Sequence, residues 1–169
     1  SSLLLPIEAE VDGNPGARTA LREYSFGDWI YYAQDRDSIG DGARALLWRS
    51  SGTLGRRDLP RLGPAGDEAP IEPTGRIQRT LGVEKVIALV VSRERAAELL
   101  AELDRRFEAG LERSAPVTNP VVGLDFVIDE RHYSLGRHCN HEVRDWLNAL
   151  GADATGAPLV SEFRLVGGD

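Results

Sequence analysis

The sequence predicts an α+β domain, and three observations carry that prediction. Apolar runs of strand type recur from the first residues to the last, and amphipathic stretches with helical spacing lie between them. The two kinds do not alternate as strand–helix–strand units, which separates this chain from doubly wound folds. At 169 residues, with 41% hydrophobic and 28% charged side chains, it suits a single domain (1–169) with a real core.

The elements follow in order. "SLLLPIEA" is a short apolar run ending at the turn-rich "VDGNPGAR", and reads as a first strand. "LREYSFGDWIYYAQ" is rich in aromatic and β-branched residues around Gly27, and predicts two strand pieces joined at a bend. "SIGDGARALLWRS" predicts a short helix with Ala43, Leu46, Leu47 and, at its end, Ser50 on one face. From about 51 to 82 glycine, proline and arginine dominate, which predicts a long irregular insertion. Its Arg56, Arg57, Arg61 and Arg76 read first as solvated charge, and second as the lining of a cleft for an anionic peptide or glycan. "KVIALVVS" is apolar on both faces and predicts a central strand. In "SRERAAELLAELDRRFEAGLERS" the stripe of Ala96, Leu99, Leu100, Leu103, Phe107 and Leu111 predicts a core-facing helix. "GLDFVID" is a further strand, and Cys139 to Leu150 a helix closed by Gly151 at the C′ position. "APLVSEFRLV" is the last strand.

Composition removes several classes of function. A formal charge of −7 argues against nonspecific attraction to nucleic acid or an anionic membrane. No run of about eighteen apolar residues is present to span a bilayer. Cys139 is the only cysteine, so neither an internal disulfide nor a cysteine-based zinc cluster is expected. No phosphate-cradling glycine loop occurs. "DRDSIGDG" offers Asp35, Asp37 and Gly40 to calcium, but Ile39 and Leu46 stand where oxygen ligands are required. The opening "SSLLLPIEAE" lacks the basic start and cleavage site of a signal peptide. With no methionine anywhere, the natural start is expected ahead of Ser1.

The chemistry centres on "YSLGRHCNHEVRDWLNALG". On a helix, Cys139, Val143, Trp146, Leu147 and Leu150 share one face, while His141, Arg144, Asp145 and Asn148 point away. Cys139 therefore faces the protein body at the first turn. Free N–H groups and positive partial charge at a helix start favour a thiolate. An inert buried thiol would occupy the same face, so position alone leaves both readings open. His132, His138, Cys139 and His141 make a poor metal set, because neighbours on a helix point about 100° apart and cannot easily share one tetrahedral ion. No metal or organic cofactor is expected. His141 is turned away from the thiol, and nothing requires His132 to fold back, so the general base is unassigned within this chain. Individually the histidines read as surface or hydrogen-bonded residues.

Taken together, "SSLLLPI", "EYSFGDWIYY", "RALLWRSSGTLGRRDL" and "YSLGRHCN" resemble, in that order, the motifs of an uncharacterised bacterial family related to the circularly permuted papain-like cysteine hydrolases. That group includes the NlpC-type peptidases and lecithin:retinol acyltransferase-like enzymes. The resemblance spans nearly the whole chain, with the insertion its least diagnostic part. It implies an antiparallel sheet packed against a few helices, with the cysteine opening a helix near the C-terminus. Cys139 matches the nucleophile, and the partner histidine is implied immediately before "SSLLLPI", ahead of Ser1. Asp28, in "FGDWIYY", is the candidate for orienting the imidazole. Tyr133 and Asn140, beside the cysteine, are the candidate substrate-binding residues. The implied activity is attack on an amide or ester bond of a small-molecule, peptide or glycan substrate, in the cell envelope. The alternative is a catalytically inactive module of the same fold that binds a peptide, glycan or protein partner.

Overall fold

The computed structural model describes residues 2–11, 14–30, 50–59, 73–134, 137–155 and 164–166. Five strands form one antiparallel sheet: β1 (Ser2–Val11), β2 (Asn14–Asp28), β3 (Ser50–Leu59), β4 (Val117–Asn119) and β5 (Leu124–Tyr133), in the order β1-β2-β3-β5-β4. The helices among the described residues are α1 (Pro73–Leu81), α2 (Arg93–Arg113) and α3 (Cys139–Ala149). A two-stranded ribbon pairs β6 (Asp153–Thr155) with β7 (Arg164–Val166). The architecture is the α+β class that the mixed periodicities predict.

Alternation decides which sheet face is covered. Leu3 pairs with Tyr24, Phe26 with Leu54, and Leu54 with Val127, so these side chains share one face. All are buried, in one cluster with Ala96, Leu99, Leu103 and Phe107 of α2 and Val143, Trp146 and Leu147 of α3. Both helices thus lie on the same face of the sheet. Of the stripe expected on α2, Leu100 and Leu111 are only partly buried at its margins. Ser92 caps that helix by accepting the Arg95 N–H at 3.1 Å.

Three expectations are corrected. Residues 50–59 are no irregular insertion but β3, hydrogen-bonded on both sides inside the sheet. Its glycines are spaces for aromatic rings. A Cβ at Gly55 would lie 2.5 Å from Phe126 Cε1, and one at Gly52 would lie 2.8 Å from Phe26 Cζ and 2.3 Å from the Arg131 carbonyl oxygen. Pro73–Leu81 is helical as well, with Arg76 inside it; Arg61 and the rest of 60–72 lie outside the described residues. "KVIALVVS" is not a strand. Only Leu89 and Val91 turn partly to the core, whereas Ile87 and Val90 are exposed. The interior position expected for it is held by β3, which pairs with β2 on one side and β5 on the other. Finally, β2 runs straight through Gly27, which pairs with Thr53, and Trp29 and Ile30 are helical. The expected helix at 38–50 falls outside the described residues apart from Ser50, as do Asp35, Asp37 and Gly40. So does the 157–163 part of the last expected strand.

Candidate functional site

β5 ends at Tyr133, where Ser134 and Arg137 exchange N–H···O bonds of 2.9 and 3.0 Å and turn the chain back. His138 then adopts an extended conformation, and its Nδ1 accepts the Asn140 N–H at 3.3 Å, satisfying one of the free donors of the helix start. Cys139 is the first residue of α3, and Gly151, with φ +85°, follows its end as expected. The thiol is half-buried, with Sγ 3.7 Å from Asn140 Oδ1. Val143, Trp146 and Leu147 are buried beneath it on the predicted face.

Register gathers the other candidates at this end of the sheet. Ser50 pairs with Tyr133, and Asp28 with Gly52. Asp28 is 3% exposed and accepts a hydrogen bond from the Ser50 hydroxyl. The half-buried Tyr133 ring lies 6.1 Å from that of Phe26. Asn140 is buried, its side chain beside the thiol and its N–H held by His138. Asp28 and Tyr133 thus stand at the end of the sheet from which the chain passes into α3 and Cys139.

The histidines differ from one another. His132 is exposed. His138 is 5% exposed and is hydrogen-bonded as a cap. His141, expected to point outward, is half-buried with its ring edge-on to His138, centroids 4.3 Å apart. His138 Nε2 and His141 Nδ1 are buried without a hydrogen-bond partner among the described residues. Burial, and then the neighbouring His141, hold His138 below the ordinary imidazole range. Burial and then Arg144 act the same way on His141. Among the described residues no histidine hydrogen-bonds to Cys139.

The feature that sequence reasoning missed lies one turn along α3. Glu142 is fully buried and receives guanidinium groups from three elements: Arg106 of α2 at 3.0 Å, Arg131 of β5 at 3.0 Å, and Arg137 of the preceding turn at 3.6 Å. Buried Asp129 ties this group to the sheet. Its Oδ2 accepts Arg106 Nε at 3.2 Å, and its Oδ1 accepts the Arg131 N–H at 2.7 Å. The last bond sits where the β3–β5 register shifts, at a bulge opposite Gly52. A signal did exist: Arg106 and Glu142 are charged residues on the apolar faces of their helices.

A hollow of about 340 Å³ lies at the other end of β3, lined by Arg56, Arg57, Asp58, Phe107, Leu111, Pro116 and Asp125. Its cations are already paired, Arg56 with Asp104 and Glu108, and Arg57 with Glu23. Of the arginines read as loop charge, Arg56 and Arg57 are therefore built into the sheet. Among the described residues no helix is long and apolar enough to cross a membrane. No protein-family model, curated protein or solved structure matches the chain.

Proposed function

We propose that the protein is a cysteine-dependent hydrolase or acyl-transfer enzyme with a permuted papain-like arrangement, and that Cys139 is its nucleophile. The observation that carries this reading is the half-buried thiol on the first residue of α3, at the end of the sheet where Asp28, Ser50 and Tyr133 meet. In the proposed reaction the thiolate attacks the carbonyl carbon of an amide or ester. N–H groups of the first helical turn, other than the one His138 occupies, hold the oxyanion. Collapse expels the amine or alcohol, which takes up a proton, and water or an acceptor alcohol or amine then releases the acyl group from sulfur. The proton carrier is an imidazole, which the resembled family places just before the strand that β1 matches. Antiparallel pairing supports Asp28 as its orienting group, since Ser2 pairs with Ser25 and the start of β1 runs beside the Asp28 end of β2.

The test is acylation by an activated acetyl ester, followed by mass spectrometry of the intact chain. The same measurement is made with a histidine placed directly ahead of Ser1. The expected result is one acetyl group on Cys139, added faster in the folded protein than in urea, and none in Cys139→Ser. If the folded thiol reacts no faster than the unfolded one in either chain, the catalytic reading is wrong. The binding-module reading then takes its place, with Cys139 as packing.

A further inference from the structure

The charges around Glu142 call for an explanation that stability does not supply. Arg106, Arg131 and Arg137 balance Glu142, Asp129 and Glu102, so the cluster carries no net charge. Moving such groups out of water costs several kcal/mol per ion, and well-packed apolar side chains of similar volume usually do as well or better. Geometric definition is what an apolar contact cannot provide. A greasy helix face can rotate or slide by an ångström at little cost, whereas a carboxylate hydrogen-bonded by two guanidiniums, with a third ion-paired at 3.6 Å, is fixed to hydrogen-bond tolerance. The guanidiniums also approach Glu142 from different elements: α2, β5 and the turn before α3.

Glu142 stands three residues after Cys139, one helical turn away on a neighbouring face. Whatever sets the rotation of α3 at Glu142 sets it at the thiol. The arginines also neutralise a carboxylate that would otherwise repel a thiolate one turn away. The anchoring points are rigid, because Asp129 locks the bulge by accepting the Arg131 N–H while bonding Arg106. We propose that Glu142, clamped by Arg106, Arg131 and Arg137, is the positioning residue of the site: it fixes the rotation and depth of the first turn of α3 and with it the place of Cys139 Sγ. This rests on the reading of Cys139 as nucleophile.

The experiment compares Glu142→Gln and Arg137→Gln with the parent protein. Arg137 is 43% exposed, so its variant keeps the test open should the buried Glu142→Gln fail to fold. Folding is checked by circular dichroism and urea midpoint. Expected for a folded variant is a drop of about ten-fold or more in the saturating rate of Cys139 acylation, because a displacement of an ångström can cost as much as a hundred-fold. The ester concentration at half-saturation should stay the same, and Arg137→Lys should recover part of the loss. A folded variant acylating at the parental rate overturns the positioning role while leaving the nucleophile reading intact. If the parent itself fails to acylate, the nucleophile reading falls. The positioning role, which rests on that reading, then falls with it.

Discussion

Replacing Gly52 with alanine tests the placement of β3 in the sheet interior, because the sign of the effect depends on it. In a pliable loop, Gly→Ala stabilises by about 0.4–1 kcal/mol, by restricting the unfolded chain. Here the new methyl carbon would lie 2.3 Å from the Arg131 carbonyl oxygen, where a comfortable C···O contact is about 3.3 Å. The shortfall is about 1 Å. That oxygen belongs to backbone, flanked by the pairs Thr53–Ile128 and Ser51–His132, so it cannot retreat without disturbing the ladder. The Phe26 ring, 2.8 Å away, can shift only into a filled core. Overpacking of this kind costs about 1–3 kcal/mol, and each weakened ladder bond about 1 kcal/mol more. A destabilisation of about 2–4 kcal/mol is expected. Urea unfolding followed by circular dichroism measures it, with the slope checked for two-state behaviour. A midpoint equal to or above that of the parent would refute both the clash and the interior position of β3.

Other substitutions probe the remaining contacts. Gly110→Ala places a methyl 2.4 Å from Val127 Cγ2, so the roughly 1 kcal/mol of helix propensity gained should be lost to overpacking, with a net destabilisation of about 1–2 kcal/mol by thermal unfolding. Tyr24→Phe removes the phenol that donates to Asp104 at 2.6 Å, and burial and that bond keep the phenol protonated well above its usual range. Asp104 keeps Arg22 and Arg56, so the cost should be about 1 kcal/mol in urea, and no loss would show the bond to be dispensable. His138 is held below its ordinary pKa, so the native state binds fewer protons than the unfolded chain. The stability this contributes is complete above about pH 6.5 and is lost as pH falls through the lower native value, with a slope of at most about 1.4 kcal/mol per pH unit. His138→Asn keeps a capping acceptor but does not titrate, so its stability should fall less between pH 7 and 5; an unchanged slope would exclude His138 as its source.

Much of the candidate site was legible because it is local. A cysteine on the inner face at the start of a helix, and a glycine closing it, need only 3.6-residue spacing and cap chemistry. The same logic found α2, whose apolar stripe from Ala96 to Leu111 repeats over about four turns. Where expectation failed, distance along the chain was the cause. "SSGTLGRRDL" reads as loop because glycine and aspartate are depleted in strands, yet Phe26 and Phe126 fill the space over its glycines, and acidic side chains of β2 and α2 accept its arginines. "KVIALVVS" has the composition of a strand but no pairing position in the sheet. A charge on the inner face of α3 was visible at Glu142, but its partners were not, Arg106 and Arg131 standing 36 and 11 residues away.

The chain's residues alone were enough to specify an α+β class, two helices with their inner faces, and a thiol at the first turn of one of them. These properties arise from interactions between residues a few positions apart, which a linear pattern records. Tertiary structure alone decided that β3 lies inside the sheet, that Asp28, Ser50 and Tyr133 share one end of it, and that Glu142 is gripped by three arginines. Those outcomes depend on which distant segments pair. Pairing is chosen by the summed fit of whole strand faces, not by the preference of any one stretch.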